Sequence, residues 1–123
     1  MKGGQLTVGR GGGEKKCDIA LPQAQHDTAV SRVHCAITPI GRTHVLIENI
    51  SRNGTRILEG GARRARGVCE VEKVVEGPTI IGLDTVIVMG RGVCVTPREL
   101  LDLYKARRPI SRYVRDRGDI KGR

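Results

Sequence analysis

Aromatic side chains are almost missing from this chain, which has two Tyr, no Phe and no Trp in 123 residues. A core without rings must be filled by Val, Ile and Leu, and β-branched residues favour strands. The same shortage removes the stacking platforms on which single-stranded nucleic acids are held. Apolar runs of membrane-spanning length are also missing, and Met1-Lys2-Gly3-Gly4 leads into a strand pattern without an apolar signal segment. Cys17, Cys35, Cys69 and Cys94 form no Cys-x-x-Cys pair, so the spacing of a zinc ribbon is absent. Each lies in or beside an apolar run, where a thiol behaves as a small hydrophobe. The expectation is four reduced core thiols and an intracellular, reducing setting, nucleus or cytoplasm. No metal or other cofactor is implied.

What the chain has in excess is positive charge. Its formal net charge is +9, and the hydrophobic fraction of 38% still suffices for one core. Such a surface attracts polyanions. The charge is uneven: residues 98–123 hold nine Lys or Arg against four acids, and residues 56–66 hold Arg56, Arg63, Arg64 and Arg66 against Glu59 alone. A solvated loop and tail would explain both runs. So would an RNA or an acidic partner bound through them.

Short β-patterns separated by turn residues run through most of the chain. Gln5 to Val8 reads as a strand, Gly11 to Lys16 as a loop, and Cys17 to Leu21 as a short strand stopped by Pro22. A polar loop over 23–31 follows, then strands over Val33 to Pro39 and Thr43 to Ile50. In the latter, Val45 and Ile47 face one way and His44 and Leu46 the other. Ser51 to Gly54 is a turn that leads into a strand through Ile57, and residues 58–67 are a Gly/Arg loop. Val68 to Val75 and Thr79 to Ile81 are further strands. Thr85 to Met89 and Val93 to Val95 flank Gly90-Arg91-Gly92 as a hairpin. Many short strands predict an all-β sandwich over residues 1–96.

A helix is expected over 97–108. Thr96-Pro97-Arg98-Glu99 places Thr at the N-cap, Pro at the first helical position and Glu two positions on, the pattern of a capping box. Leu100, Leu103 and Tyr104 share one face, which predicts packing on the sandwich. Residues 109–123 form a basic tail.

Familiar catalytic and nucleotide-binding patterns do not fit. The Gly-rich start has no closing Gly-Lys-Ser/Thr and no helix after it, so it is not a phosphate loop. Ser31 and His34 lack a nucleophile elbow. The reading is therefore a chain that is not an enzyme. What remains are three segments: Gly9-Arg10, Ser31-Arg32-Val33-His34 and Asn53-Gly54-Thr55. Brought together, they offer a guanidinium, a hydroxyl and an amide around one small anion, and Arg grips a phosphate bidentately.

The order Val8-Gly9-Arg10, Cys17 to Leu21, Val30 to Ile37, Ile50 to Thr55 and Gly82 to Gly90 resembles a forkhead-associated (FHA) domain over about residues 5–96. The resemblance implies a sandwich whose apical loops bind phosphothreonine peptides of a partner protein, as an adaptor in signalling. It implies that Arg10 and Ser31 contact the phosphate, that Arg32 assists, and that Asn53 holds the peptide backbone. His34 is implied to brace the loop, with Gly9, Gly54 and Thr55 supporting the site. Arg52 would either add a phosphate contact or face solvent. For an acidic side chain three residues after the phosphothreonine, Ala29 and Val30 offer no charge, and Arg56 is the candidate.

The resemblance is also incomplete. FHA domains have two strands before the Gly-Arg strand, and only eight residues precede Gly9 here. The expectation is an N-terminally shortened FHA-like sandwich with an exposed sheet edge. The terminal helix is the first candidate to cover it, a partner adding a strand the second, and a missing N-terminus the third. A shortened fold of this kind would also suit a structural component of a ribonucleoprotein.

Overall fold

A computed structural model describes residues 4–11, 17–59 and 71–106. Along them run β1 (Leu6–Gly9), β2 (Ile19–Ala20), β3 (Cys35–Ile40), β4 (His44–Asn49), β5 (Thr55–Glu59), β6 (Val71–Val74), β7 (Thr79–Gly82), β8 (Val86–Met89) and β9 (Val93–Val95). A helix, α1, follows over 97–106. The strands form two sheets, ordered β2-β1-β3-β4-β7 and β6-β5-β8-β9. The expected all-β sandwich with a C-terminal helix is therefore the observed architecture.

Alternation builds the core. In β4, Val45 and Ile47 are buried while His44 is exposed and Leu46 half-buried. Antiparallel pairing sets Ile37 opposite Ile47 and Val45 opposite Ile81. In the second sheet Ile57 pairs with Ile87, and Ile87 with Val95. These side chains, with Val8, Met89 and Val93, form one apolar cluster between the sheets. Each buried Val or Ile contributes about 1.5–3 kcal/mol, so an aliphatic core replaces the missing rings.

β2 is shorter than expected, two residues rather than five. It is nonetheless secured to β1, because the Asp18 carboxylate accepts from the Thr7 N–H (2.9 Å) and hydroxyl (3.2 Å) while the Asp18 N–H donates back to the Thr7 hydroxyl (3.0 Å). Pro22 opens a single 3-10 turn, Pro22–Ala24. The following loop is not simply polar: Ala24 and Val30 are both fully buried and anchor it in the core.

The cysteines do not share one environment. Cys35 is buried, and desolvation first, with the nearby Cys17 adding, pushes its thiol up to about 12, which keeps it protonated and inert. Cys94 is exposed, contrary to the expected core position. It lies between the buried Val93 and Val95, and the two-residue period of a strand turns it outward. Cys69, most of the basic loop and the basic tail lie outside the described residues.

The capping box forms as its sequence predicts. The Glu99 N–H donates to the Thr96 hydroxyl (3.2 Å), and the Thr96 N–H donates to the Glu99 carboxylate (3.0 Å). Leu100 is fully buried, and Leu101, Leu103 and Tyr104 pack partly buried against the core. The Arg98 N–H donates to the Leu83 carbonyl (3.1 Å), which ties the first turn of α1 to the β7–β8 connection. An exposed Arg98–Asp84 pair (2.9 and 3.1 Å) lies beside that contact. Among the described residues β9 remains an edge strand, since α1 packs on the core without adding to the sheet. No helix among the described residues is long and apolar enough to cross a membrane.

If α1 is part of the core, Leu100→Ala will cost about 2–5 kcal/mol and Thr96→Ala about 0.5–2 kcal/mol. Urea titration followed by far-ultraviolet circular dichroism measures both.

Candidate functional site

Strand register places the end of β1, the start of β3, the end of β4 and the start of β5 at one end of the sandwich. Val8 pairs with Cys35, Cys35 with Asn49, and Thr55 with Met89. The loops joining these termini carry the three segments singled out above.

His34 ties them together. Its imidazole is fully buried. The Ser31 N–H donates to Nδ1 at 3.0 Å, so Nδ1 carries no proton. The proton is on Nε2, which donates to the Gly54 carbonyl at 2.7 Å. The main chain of His34 adds to this: its N–H donates to the Val8 carbonyl (2.7 Å), and its carbonyl accepts from Ile50 (2.9 Å) and Ser51 (3.0 Å). Burial, foremost, and the charge of Arg56 hold the imidazole below its ordinary 6.5, against the opposing pull of the Gly54 carbonyl and Asp27.

Gly9 is required by a close approach. A Cβ there would lie 2.3 Å from the Arg32 carbonyl oxygen. The missing side chain lets the two backbones join, with the Arg10 N–H donating to Ser31 (3.0 Å) and the Gly11 N–H to Arg32 (3.1 Å). Arg10 Nε donates to the Val30 carbonyl at 2.8 Å. That bond orients the guanidinium and leaves its two terminal nitrogens for another acceptor.

Ser31 and Ser51 meet with their hydroxyls 2.7 Å apart. Ser51 is nearly buried and accepts the Asn53 N–H at 2.9 Å. Asn53 lies beside this contact, its Nδ2 donating to the Ala29 carbonyl at 2.9 Å. That bond uses one amide hydrogen and joins the 51–54 turn to the 23–31 loop. Gly54 holds a left-handed φ of +85° that an L side chain rarely adopts. Thr55 is fully buried and donates to Asn49 Oδ1 at 2.7 Å. Asn49 in turn donates to the Ser51 carbonyl at 2.8 Å.

Asp27 fastens the 23–31 loop to the β8–β9 hairpin. One oxygen accepts the Ala29 N–H (2.9 Å) and the other the Arg91 N–H (3.0 Å). The Arg91 bond, then that from Ala29, hold its carboxyl below the usual range, so it stays ionised. Arg56, the candidate for an acidic side chain of the ligand, already has partners within the fold. It donates to the Gly90 carbonyl at 2.7 Å and pairs with Glu72 at 3.6 Å.

Between the loops lies an open cleft of about 500 Å³. Three arginines, Arg10, Arg32 and Arg52, line it with Ser31 and Ser51. Thr28, Val33 and Ile50 complete the wall, and none of these eight residues is acidic. Four of the five residues expected to contact a ligand thus share one cleft, and Asn53 borders it. The sequence reading missed Ser51, Asn49 and Asp27. Each is a small polar residue in a turn, and such residues are so common in turns that nothing in the sequence sets these apart.

A family model described as FHA domain matches residues 6–76, more than half of the chain and every residue of the site except those of the hairpin turn. The match ends before β7, short of the range expected from the resemblance. No curated protein and no solved structure matches the chain.

Burial of a neutral His34 sets a pH dependence. Its folded value is depressed below 6.5, so its contribution is complete above pH 6.5 and is lost as pH falls below it, because the unfolded chain then binds the extra proton. A proton on Nδ1 would oppose the Ser31 N–H donor to donor. Urea midpoints should fall between pH 7 and 5, by at most about 1.4 kcal/mol per pH unit. In His34→Gln the baseline will be lower and this part of the slope absent.

Proposed function

The chain belongs to the FHA domain family, and from that premise we propose that its cleft binds a phosphothreonine-containing segment of a partner protein. FHA domains are in general phosphopeptide-binding interaction modules rather than enzymes. The observation that carries the reading here is the convergence of Arg10, Ser31 and Arg32 in a cleft without an acidic lining residue.

The chemistry follows from the donors. A phosphothreonine carries about −1.5 to −2 charge and only accepts hydrogen bonds at its ionised oxygens. Arg10, oriented through Nε, offers it a bidentate grip. An acceptor in the cleft also selects one direction for the serine pair. The Asn53 N–H donates to Ser51, Ser51 donates to Ser31, and the Ser31 proton goes to the phosphate. Arg32 approaches from the exposed side. Asn53 retains one amide hydrogen and Oδ1, which suit the N–H and carbonyl of an extended peptide.

Charge-assisted bonds contribute roughly 1.5–3 kcal/mol each, and micromolar binding needs about 8 kcal/mol net. Three or four such contacts, less the cost of ordering the peptide, reach that range. Val33 and Ile50 give the cleft an apolar wall. A threonine methyl buried there would add about 1 kcal/mol over serine, roughly fivefold in affinity.

Fluorescence anisotropy with a phosphothreonine peptide library tests the proposal. Binding should saturate, be lost on dephosphorylation, weaken about fivefold for phosphoserine, and weaken at least tenfold in Arg10→Ala. Equal binding of phosphorylated and unphosphorylated peptides overturns it. So does binding only to RNA with a steep salt dependence.

A further inference from the structure

We propose that the free edge of β7 pairs with β7 of a second copy of the chain, antiparallel and centred on Ile80, so that the two five-stranded sheets continue into one another.

Hydrogen-bond direction leaves that edge open. The Ile50 N–H donates to the His34 carbonyl at 2.9 Å, so the even-numbered residues of β4 bond to β3. The Leu83 N–H donates to the Thr43 carbonyl at 3.2 Å, so the odd-numbered ones, Val45 and Ile47, bond to Ile81 and Thr79. The N–H and C=O groups of Ile80 and Gly82 therefore point away from β4. Among the described residues no strand lies beyond them. The Gly82 carbonyl is already taken by the Thr85 N–H at 3.2 Å. Pro78, at the other end of the edge, has a carbonyl and no N–H. What the edge has left is self-complementary. With Ile80 opposite Ile80 of the second copy, the two residues exchange both of their bonds. Each Gly82 N–H then meets the Pro78 carbonyl of the other chain, and no donor is left unmatched.

Charge and exposure favour the same occupant. The chain carries +9 and has 22 Lys and Arg, yet no strand of this sheet contains either. Repulsion between two such chains is least along this edge, and an acidic or nucleic-acid partner would find no cation in the strand. The other edges are guarded: β2 has only two residues, β9 three, and β6 carries the exposed Glu72 and Lys73. β7 has no charge. Its outward Ile80 is 60% exposed, the most of any large hydrophobic among the described residues. Ile80 ends the cross-strand row Thr38, Leu46, Ile80, and pairing extends that row into the second copy.

The test uses the full chain without any phosphopeptide, so its outcome is separate from the reading of the cleft. Sedimentation velocity should show a monomer–dimer equilibrium that tightens severalfold as salt rises, because screening weakens the repulsion between two +9 chains. Ile80→Lys should weaken the dimer about tenfold or more, with the melting temperature nearly unchanged. Ile80→Cys, in a chain whose Cys17, Cys69 and Cys94 are changed to Ser, should form a disulfide-linked dimer on mild oxidation, since paired Cα atoms lie about 5.5 Å apart. Ile40→Cys in the same background, on the same face but two strands away, should not. The Ile80 and Gly82 amides should gain protection from hydrogen exchange as concentration rises. A monomer at every concentration overturns the proposal, as does a dimer that Ile80→Lys leaves intact. Protection of those amides that is independent of concentration assigns the edge to another segment of the same chain and overturns it too.

Discussion

The site depends on one buried, uncharged imidazole. His34 bridges the Ser31 N–H and the Gly54 carbonyl, and those two backbone groups belong to the two loops that carry nearly every polar group of the cleft. The bridge works only in one tautomer, with Nε2 protonated and Nδ1 bare. Complete burial enforces that state, since a charged ring would lose its hydration and meet a donor head-on. Removing the ring leaves a buried donor and a buried acceptor, each costing about 1–3 kcal/mol. The residue that looks most like a catalytic base is therefore a strut.

Around that strut the loops are fixed by burial and backbone as much as by side-chain bonds. Ala24 and Val30 sink into the core and fasten the 23–31 loop at both ends. Gly9 lets β1 lie directly under the Arg32 backbone. Asp27 joins the loop to the hairpin turn, where Gly90 leaves room that a Cβ would fill, 2.6 Å from Val30. Arg10, Ser31 and Ser51 are consequently held in place by the fold itself, an arrangement that would lower the ordering cost of the proposed binding. Arg32 and Arg52, exposed on the rim, keep their side-chain freedom.

Legibility tracked the range of the interaction. The strands with clean two-residue alternation were readable, as was the capping box at Thr96 and Glu99, because both are local patterns. The contribution of Leu100 was readable for the same reason. Cys94 was misplaced because a thiol between two valines looks apolar regardless of the face on which it falls. The partners of Arg56 were not readable, because nothing local reveals that Gly90 and Glu72 will meet it. Val30 and Ala24 look like ordinary residues of a polar loop until the core closes over them.

By itself the sequence determined the family, the β character, the helix start and the identity of the arginines, serine and asparagine at the site, because residue type and short spacing carry that information. Only the tertiary structure decided that Ser51 meets Ser31, that Asp27 locks the loop to the hairpin, and that three arginines share one cleft. Those contacts join residues twenty to sixty-four positions apart in the chain. Strand register brings them within hydrogen-bonding distance, and no local pattern encodes that meeting.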